Sequence, residues 1–256
     1  RIAVQTFRPA NSHNGRWALV SHGYYDHAGL YGHLIQQLLR RGLGVLIFDH
    51  LGHGLSTGQP ATIDRFQSYV DVLACIHALA DDIIGCAPNH WIGQSMGGAL
   101  LMEYEQQRQL CPRGEFILLA PLVRPYGWPL LQWYFALIRR WITARPRDMR
   151  SNMQPQFNEF LAKDPFQADT LPVAWVQAMV DWFTQFEAYP GSKVKAKIVQ
   201  GYADKTVSYR HDLPVLSRRY QGASMLTIPN ARHHLVNEVD AVQQQIWAWL
   251  DKECQW

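Results

Sequence analysis

The chain has 256 residues, a length that suits one large domain with a sizeable core. Its content of 48% hydrophobic and 12% aromatic residues excludes a disordered chain, and its formal net charge of +3 is too weak to indicate nucleic-acid binding. The four cysteines are scattered without a Cys-x-x-Cys pair, so neither a disulfide framework nor a structural zinc site is expected.

The sequence carries no recognisable targeting segment. No apolar run approaches the ~20 residues that span a bilayer, and the first residues show no signal-peptide pattern. We therefore expect a cytoplasmic protein, with peripheral contact to a membrane surface as an open alternative. Because the first residue is Arg1 and not Met, we also expect that the chain has lost an N-terminal piece.

Short apolar runs alternate with amphipathic stretches along the chain, a pattern typical of a mostly parallel sheet with helices on both faces. The fold class predicted is therefore α/β, with a doubly wound sheet. The predicted strands are residues 2–7, 17–21, 44–49, 91–93, 116–120, 197–201 and 224–228. Helical spacing predicts one helix over residues 30–41, a second through Ile63, Phe66, Val70 and Leu73, and a third through Val239, Val242, Ile246 and Trp249.

Residues 122–190 interrupt this alternation. The segment holds seven prolines and five tryptophans but no good strand, and a structureless loop of that length is rare in a compact domain. We interpret it as a mostly helical cap inserted into a core made of residues 1–121 and 191–256.

The most informative motif is Gly93-Gln94-Ser95-Met96-Gly97, which follows a predicted strand and precedes the helix-forming run 99–107. In a G-x-S-x-G turn the backbone is strained so that the serine hydroxyl is exposed, and the glycines leave room for neighbouring chain. The helix N-terminus offers free N–H groups where an oxyanion forms, the Met96 N–H first among them. The competing interpretation is a glycine-rich turn that happens to contain serine.

Two later loops supply the residue types that such a serine needs. Asp204 lies three residues past one predicted strand, and His233 follows the last one, in the order serine, acid, histidine. In an early loop, Gly23 allows the Tyr24 N–H to turn toward the nucleophile as a second oxyanion donor. His22 has a competing interpretation as a general base, and we favour a supporting role for it. Isolated acids and histidines in loops otherwise often cap helices or face solvent.

The loop 49–58 combines a carboxylate, two histidines and three glycines, which raises the question of a metal or phosphate site. It lacks the lysine of a phosphate-binding loop and the helical two-histidine spacing of a zinc site. We interpret it as a structural loop below the active site, and we predict neither a metal nor an organic cofactor.

These motifs together resemble the α/β-hydrolase superfamily, in particular the branch of monoacylglycerol lipases and lysophospholipases. The resemblance implies that Ser95, Asp204 and His233 are nucleophile, acid and base, and that the N–H groups of Tyr24 and Met96 form the oxyanion hole. The chain departs from the family pattern before the serine, where Gln94 replaces the frequent histidine. It also departs around the last histidine, where Asn230 and His234 stand in place of glycine and glutamate, so the choice between His233 and His234 stays open.

The expected function is therefore that of a serine hydrolase that cleaves carboxylic esters of single-acyl-chain lipids through an acyl-enzyme on Ser95. The expected partner is a small acyl ester, and the oligomeric state is left open. Two alternatives remain: a thioesterase or amide hydrolase with the same triad, and a binding protein on a hydrolase scaffold.

The cap carries a predicted apolar helix with one continuous face made of Trp128, Leu131, Phe135, Ile138 and Ile142, and this face is broadened by Leu130, Tyr134, Leu137 and Trp141. Such a helix must be covered by the body of the protein or by lipid. Either it packs on the core, or it lines an acyl-chain tunnel, with Trp128, Phe135 and Ile138 as substrate-binding residues, and rests on a membrane. The arginines expected to meet anionic head groups are Arg139, Arg140, Arg145, Arg147 and Arg150.

Overall fold

A computed structural model describes residues 1–10, 15–147 and 154–256. The strands are β1 Val4–Phe7, β2 Trp17–Ser21, β3 Gly44–Phe48, β4 His90–Gln94, β5 Phe116–Leu119, β6 Ala144–Pro146, β7 Thr170–Pro172, β8 Ala196–Gly201 and β9 Ser224–Ile228. The helices are α1 Gly32–Arg40, α2 Gln67–Ala78, α3 Ala80–Ile84, α4 Met96–Arg108, α5 Trp128–Ile138, α6 Pro155–Leu161, α7 Val173–Phe186, α8 Tyr209–Arg219 and α9 Asp240–Glu253.

Seven of these strands form one sheet in the order β1-β3-β2-β4-β5-β8-β9, in which only β1 runs antiparallel to its neighbour. Alternate residues of the inner strands enter two separate apolar clusters, for example Leu19 in one and Val20 in the other. Both faces are therefore covered, as expected for strands this apolar. The predicted α/β class is confirmed, and each of the seven predicted strands is found within two residues of its predicted ends.

The parallel strands place the loops that follow them at one edge of the sheet. Ser95 follows β4 at the centre, and Tyr24 lies in the loop after the neighbouring β2. Asp204 and His233 follow β8 and β9 on the other side. The fold thus brings four distant parts of the sequence to a single region.

The elements between β5 and β8 are α5, β6, α6, β7 and α7, so the segment is mostly helical. The expectation that it holds no strand was wrong, because β6 and β7 pair antiparallel over three residues each. Pro146 and Pro172 end these strands, and such short pieces show no period-two pattern.

Two helix boundaries also differ from the predictions. Ile63 and Phe66 are buried but precede α2. The apolar spacing that predicted a helix through these residues therefore begins in a packed loop and continues into the helix. In α9, Val242, Ile246, Trp247 and Leu250 are buried, whereas the predicted first position, Val239, is exposed and precedes the helix.

Candidate active site

Ser95 occupies the sharp turn between β4 and α4, with φ 55° and ψ −118°. This left-handed backbone is strained for a residue with a Cβ atom. Close packing on both sides holds the turn. A Cβ atom on Gly93 would lie 2.7 Å from the Gly97 backbone, and one on Gly97 would lie 2.1 Å from the carbonyl oxygen of Ser21. The two glycines are therefore needed for the chain to make this turn.

A continuous hydrogen-bonded chain joins the three residues singled out in the sequence. The Nε2 atom of His233 lies 2.9 Å from Ser95 Oγ, and its Nδ1 atom lies 2.8 Å from Asp204 Oδ2. All three side chains are buried. His234, the alternative base, contacts neither Ser95 nor Asp204; its Nε2 atom lies 3.0 Å from Asp26.

Asp204 is held as an ionised acceptor. Its Oδ1 atom accepts hydrogen bonds from the N–H groups of Thr206 and Val207, and its Oδ2 atom accepts one from Gln200 besides that from His233. Burial by itself raises the pKa of Asp204, but His233 and the two N–H groups outweigh burial, so the pKa lies below its ordinary value. The carboxylate can therefore orient the imidazole and stabilise its protonated form.

Gln94 stabilises the loop that carries His233. Its Nε2 atom donates to the main-chain oxygen of His233 at 3.0 Å. The departure from the family pattern at this position therefore adds a direct bond to the loop that carries the histidine. Sequence reasoning missed this role and that of Gln200, because neither contact follows from a local pattern.

The predicted oxyanion donors are the N–H groups of Met96 and Tyr24. Met96 is the first residue of α4, where N–H groups have no partner within the helix. The Tyr24 loop touches the nucleophile, since a Cβ atom on Gly23 would lie 3.4 Å from Ser95 Cβ. Two contacts fix the Tyr24 ring. Its hydroxyl donates to the carbonyl of Ala61 at 2.7 Å, and Trp175 of α7 stacks on its face with ring centres 3.7 Å apart.

His22 and the loop 49–58 have structural partners. His22 Nε2 accepts a hydrogen bond from the His50 N–H at 2.9 Å, its Nδ1 donates to the carbonyl of Gly23, and burial lowers its pKa. With both nitrogens engaged, His22 is not placed as a base for Ser95. Asp49 accepts hydrogen bonds from the N–H groups of Ala28 and Leu55, which shapes the loop. Within the described residues, no group of three His, Cys, Asp or Glu side chains is arranged to hold a metal.

The predicted substrate-binding residues lie on the inner side of α5. Trp128 is buried against the Phe183 ring of α7, with centres 5.2 Å apart, and Phe135 and Ile138 are half-buried. In the part of the chain that the structure describes, no hydrogen bond or ring contact joins these three residues to the triad. Trp128 and Phe135 pack with the core, and contact of all three residues with substrate stays a prediction.

The opposite side of this helix is exposed. The outer apolar face, as we name it, consists of Leu130, Trp133, Tyr134, Leu137 and Trp141. Trp141 lies just beyond the end of α5, so the predicted helix through Ile142 is too long. The exposed fractions of Leu130, Trp133 and Leu137 are 81%, 76% and 72%. An exposed apolar stripe of this kind is typical of an interaction surface.

The arginines differ in their availability. Arg139 and Arg140 are exposed at the end of α5, although Arg139 also donates to the Gln177 side chain at 2.7 Å. Arg145 is exposed and lies over the Tyr134 ring at 4.9 Å. Arg147 lies over the Tyr25 ring at 3.8 Å and donates to Gln167, so it is engaged within the protein, contrary to the prediction. Arg150 falls outside the described residues. Over the described ranges, no helix is long and apolar enough to cross a bilayer.

A strained serine after the central strand, joined through a histidine to a carboxylate, defines the α/β-hydrolase class. A family model described as serine aminopeptidase, S33, matches residues 14–240, and the chain belongs to this family. The predicted resemblance to the superfamily is thereby confirmed.

Named relatives lie in the predicted branch. The chain is 37% identical over 110 residues to the monoglyceride lipase of Homo sapiens, an alignment covering 41% of this chain and 34% of that protein. The chain thus spans about a third of the length of such curated relatives. The crystal structure of Paleococcus ferrophilus monoacylglycerol lipase superposes with a TM-score of 0.82, 18% identity and 98% coverage of both chains. The structure of a soluble variant of monoglyceride lipase from Saccharomyces cerevisiae, in complex with a substrate analog, superposes with a TM-score of 0.83 and 16% identity. The superposition covers 100% of this chain and 92% of that one. At these identities the two structures establish the fold alone.

Proposed function

We propose that the chain is a serine hydrolase of carboxylic esters, with Ser95, His233 and Asp204 as its catalytic triad. The observation that carries this proposal is the unbroken chain of hydrogen bonds from Asp204 through His233 to Ser95 Oγ, at a serine in a strained turn. A binding protein on the same scaffold would not need all three residues in this geometry.

In the proposed reaction, Ser95 Oγ attacks the ester carbonyl while His233 Nε2 takes its proton. The N–H groups of Tyr24 and Met96 stabilise the oxyanion of the tetrahedral intermediate. His233 then gives the proton to the leaving alcohol, and water releases the acyl group from Ser95 by the reverse sequence of proton transfers. Asp204 stays ionised throughout and stabilises the imidazolium.

The proposed substrate class is a lipid with a single acyl chain, a monoacylglycerol or a lysophospholipid. The names of the relatives support a monoacylglycerol. We place the acyl chain along the apolar inner side of α5, where Phe135 and Ile138 are half-buried and Trp128 packs against Phe183 of α7. Burial of each chain methylene there would contribute about 0.8 kcal/mol.

The outer apolar face gives the proposal a physical route to lipid. Its side chains would enter the interfacial region of a bilayer, with Arg139, Arg140 and Arg145 near the head groups. Each basic residue near an anionic surface contributes about 1 kcal/mol. A peripheral position on a membrane would bring the cap to its substrate.

The test combines a label with a substrate panel. A fluorophosphonate probe should modify the parent protein, and peptide mapping should locate the probe on Ser95, with Ser95→Ala as the unlabelled control. Esters of p-nitrophenol, monoacylglycerols, lysophospholipids, acyl-coenzyme A and aminoacyl amides then define the class. Preference for an aminoacyl amide, as the family's description suggests, or for a thioester would overturn the ester assignment while leaving the triad intact.

A further inference from the structure

A second buried acid–histidine pair, Asp26 with His234, lies beside the triad. The exposed fractions are 4% for Asp26 and 3% for His234. A single oxygen, Asp26 Oδ2, lies 3.0 Å from His234 Nε2, 2.8 Å from the Tyr31 hydroxyl and 3.2 Å from the Gly23 nitrogen. The Gly23 N–H also donates to the Tyr31 hydroxyl at 2.9 Å, so Asp26 holds Gly23 both directly and through Tyr31. This carboxylate therefore joins the segment 23–31, which follows β2, to His234 in the loop after β9.

The positions of two of these donors matter for the reaction. Gly23 directly precedes Tyr24, the proposed oxyanion donor, and His234 directly follows His233, the proposed base. Asp26 Oδ2 thus links the two loops that must keep a fixed separation across Ser95. A Cβ atom on Gly23 would lie 2.7 Å from Asp26 Oδ2 and 3.4 Å from Ser95 Cβ, so the carboxylate packs closely against the oxyanion loop.

The protonation of the pair is set by its neighbours. Asn237 Nδ2 donates to the carbonyl of Leu30 at 2.9 Å and lies 3.2 Å from His234 Nδ1, which leaves that nitrogen as an acceptor. His234 therefore carries its proton on Nε2 and donates it to Asp26. Burial raises the pKa of Asp26, but His234, His22 and Tyr31 outweigh burial and hold the pKa below the usual range. The bonds to Asp26 are consequently charge-assisted and strong.

We propose that Asp26 and His234 are positioning residues that hold the oxyanion N–H of Tyr24 and the imidazole of His233 in register around Ser95. The inference rests on the proposed ester hydrolysis, since it assigns both residues a role in that reaction. The pair acts on the transition state, where both the N–H and the imidazole are needed. A displacement of about 1 Å in such groups lowers a rate about 100-fold.

The decisive variants are His234→Leu and His234→Gln, measured with p-nitrophenyl acetate. His234→Leu removes the donor to Asp26, and kcat should fall about 10- to 100-fold while KM changes less than about twofold. His234→Gln presents a side-chain N–H in place of Nε2 and should restore kcat to within about fivefold of the parent. A double variant with Asp26→Leu should lose no more than the worse single variant, because the pair acts as one unit.

The matched control is Glu105→Gln in another buried pair, Glu105 with Arg219, whose atoms lie 2.6 Å apart and which contacts neither loop. This variant should lower Tm and leave kcat unchanged. A merely structural role for Asp26 and His234 predicts the same result for His234→Leu.

Three results would overturn the inference: parental kcat in folded His234→Leu, no recovery in His234→Gln, or multiplied losses in the double variant. Should Asp26→Leu fail to fold, the two His234 variants decide the matter alone. The proposed function fails separately, because a parent that neither hydrolyses esters nor takes the fluorophosphonate label overturns both proposals. An active parent with unaffected variants overturns this inference alone.

Discussion

Replacing Leu137 by aspartate tests whether the outer apolar face enters a membrane. The Leu137 side chain is 72% exposed in the middle of this face. Full burial of a leucine side chain contributes roughly 1.5–3 kcal/mol, so lipid contact with the exposed part contributes about 1–2 kcal/mol. Since about 1.4 kcal/mol corresponds to a tenfold change in an equilibrium constant, Leu137→Asp should lower the partition coefficient about 5- to 30-fold.

The assay is sedimentation with phosphatidylglycerol-containing vesicles, repeated with purely zwitterionic ones. Leu79→Asp serves as the matched control, because Leu79 is 48% exposed and follows α2, which runs away from the edge of the sheet that carries the triad. Hydrolysis of p-nitrophenyl acetate, a soluble substrate, should be the same in both variants and reports correct folding. Equal vesicle binding by Leu137→Asp and the parent, or an equal loss in Leu79→Asp, would refute the reasoning.

Three further predictions concern the cap and the triad. Phe135→Asp should depress kcat/KM for a long-chain monoester far more than for a two-carbon ester, and equal losses with a lowered Tm would assign Phe135 to packing alone. His233→Ala should lower kcat about 10⁴- to 10⁶-fold, whereas His234→Ala should be milder; a reversed order in steady-state kinetics would move the base to His234. The pKa of Asp204 is lowered in the folded state, so its stabilising contribution is present above the unfolded-state pKa of about 3.9 and is lost as the pH falls through the folded value. The Tm difference between the parent and Asp204→Asn should therefore shrink from about pH 6 to about pH 3, and a constant difference in calorimetry would contradict this cause.

The sheet could be predicted from the sequence because its strands are continuous apolar runs bounded by turn residues. The same is true of the serine turn, since Gly93, Ser95 and Gly97 form a local pattern with a steric cause. The start of α2 and the β6–β7 pair could not, because Ile63 and Phe66 pack without being helical and three-residue strands carry no periodic signal.

The supporting contacts of the site could not be predicted from the sequence for a different reason, which is the separation of the two partners along the chain. Gln94 and His233 are 139 positions apart, and Asp26 and His234 are 208 positions apart. Glutamine before the serine and histidine after the base first appeared as departures from a family pattern. Only the folded chain shows that each of them makes a hydrogen bond to one of the loops around Ser95.

The strained turn at Ser95 has a consequence for folding stability. A positive φ with a Cβ atom costs about 1–3 kcal/mol, whereas glycine adopts it freely and loses about 0.5–1 kcal/mol through its greater unfolded-state entropy. Ser95→Gly should therefore be inactive yet melt up to a few degrees higher than the parent. At this position folding selects against the serine side chain that the proposed chemistry requires, so thermostability screens of this protein would enrich inactive clones unless activity is selected alongside.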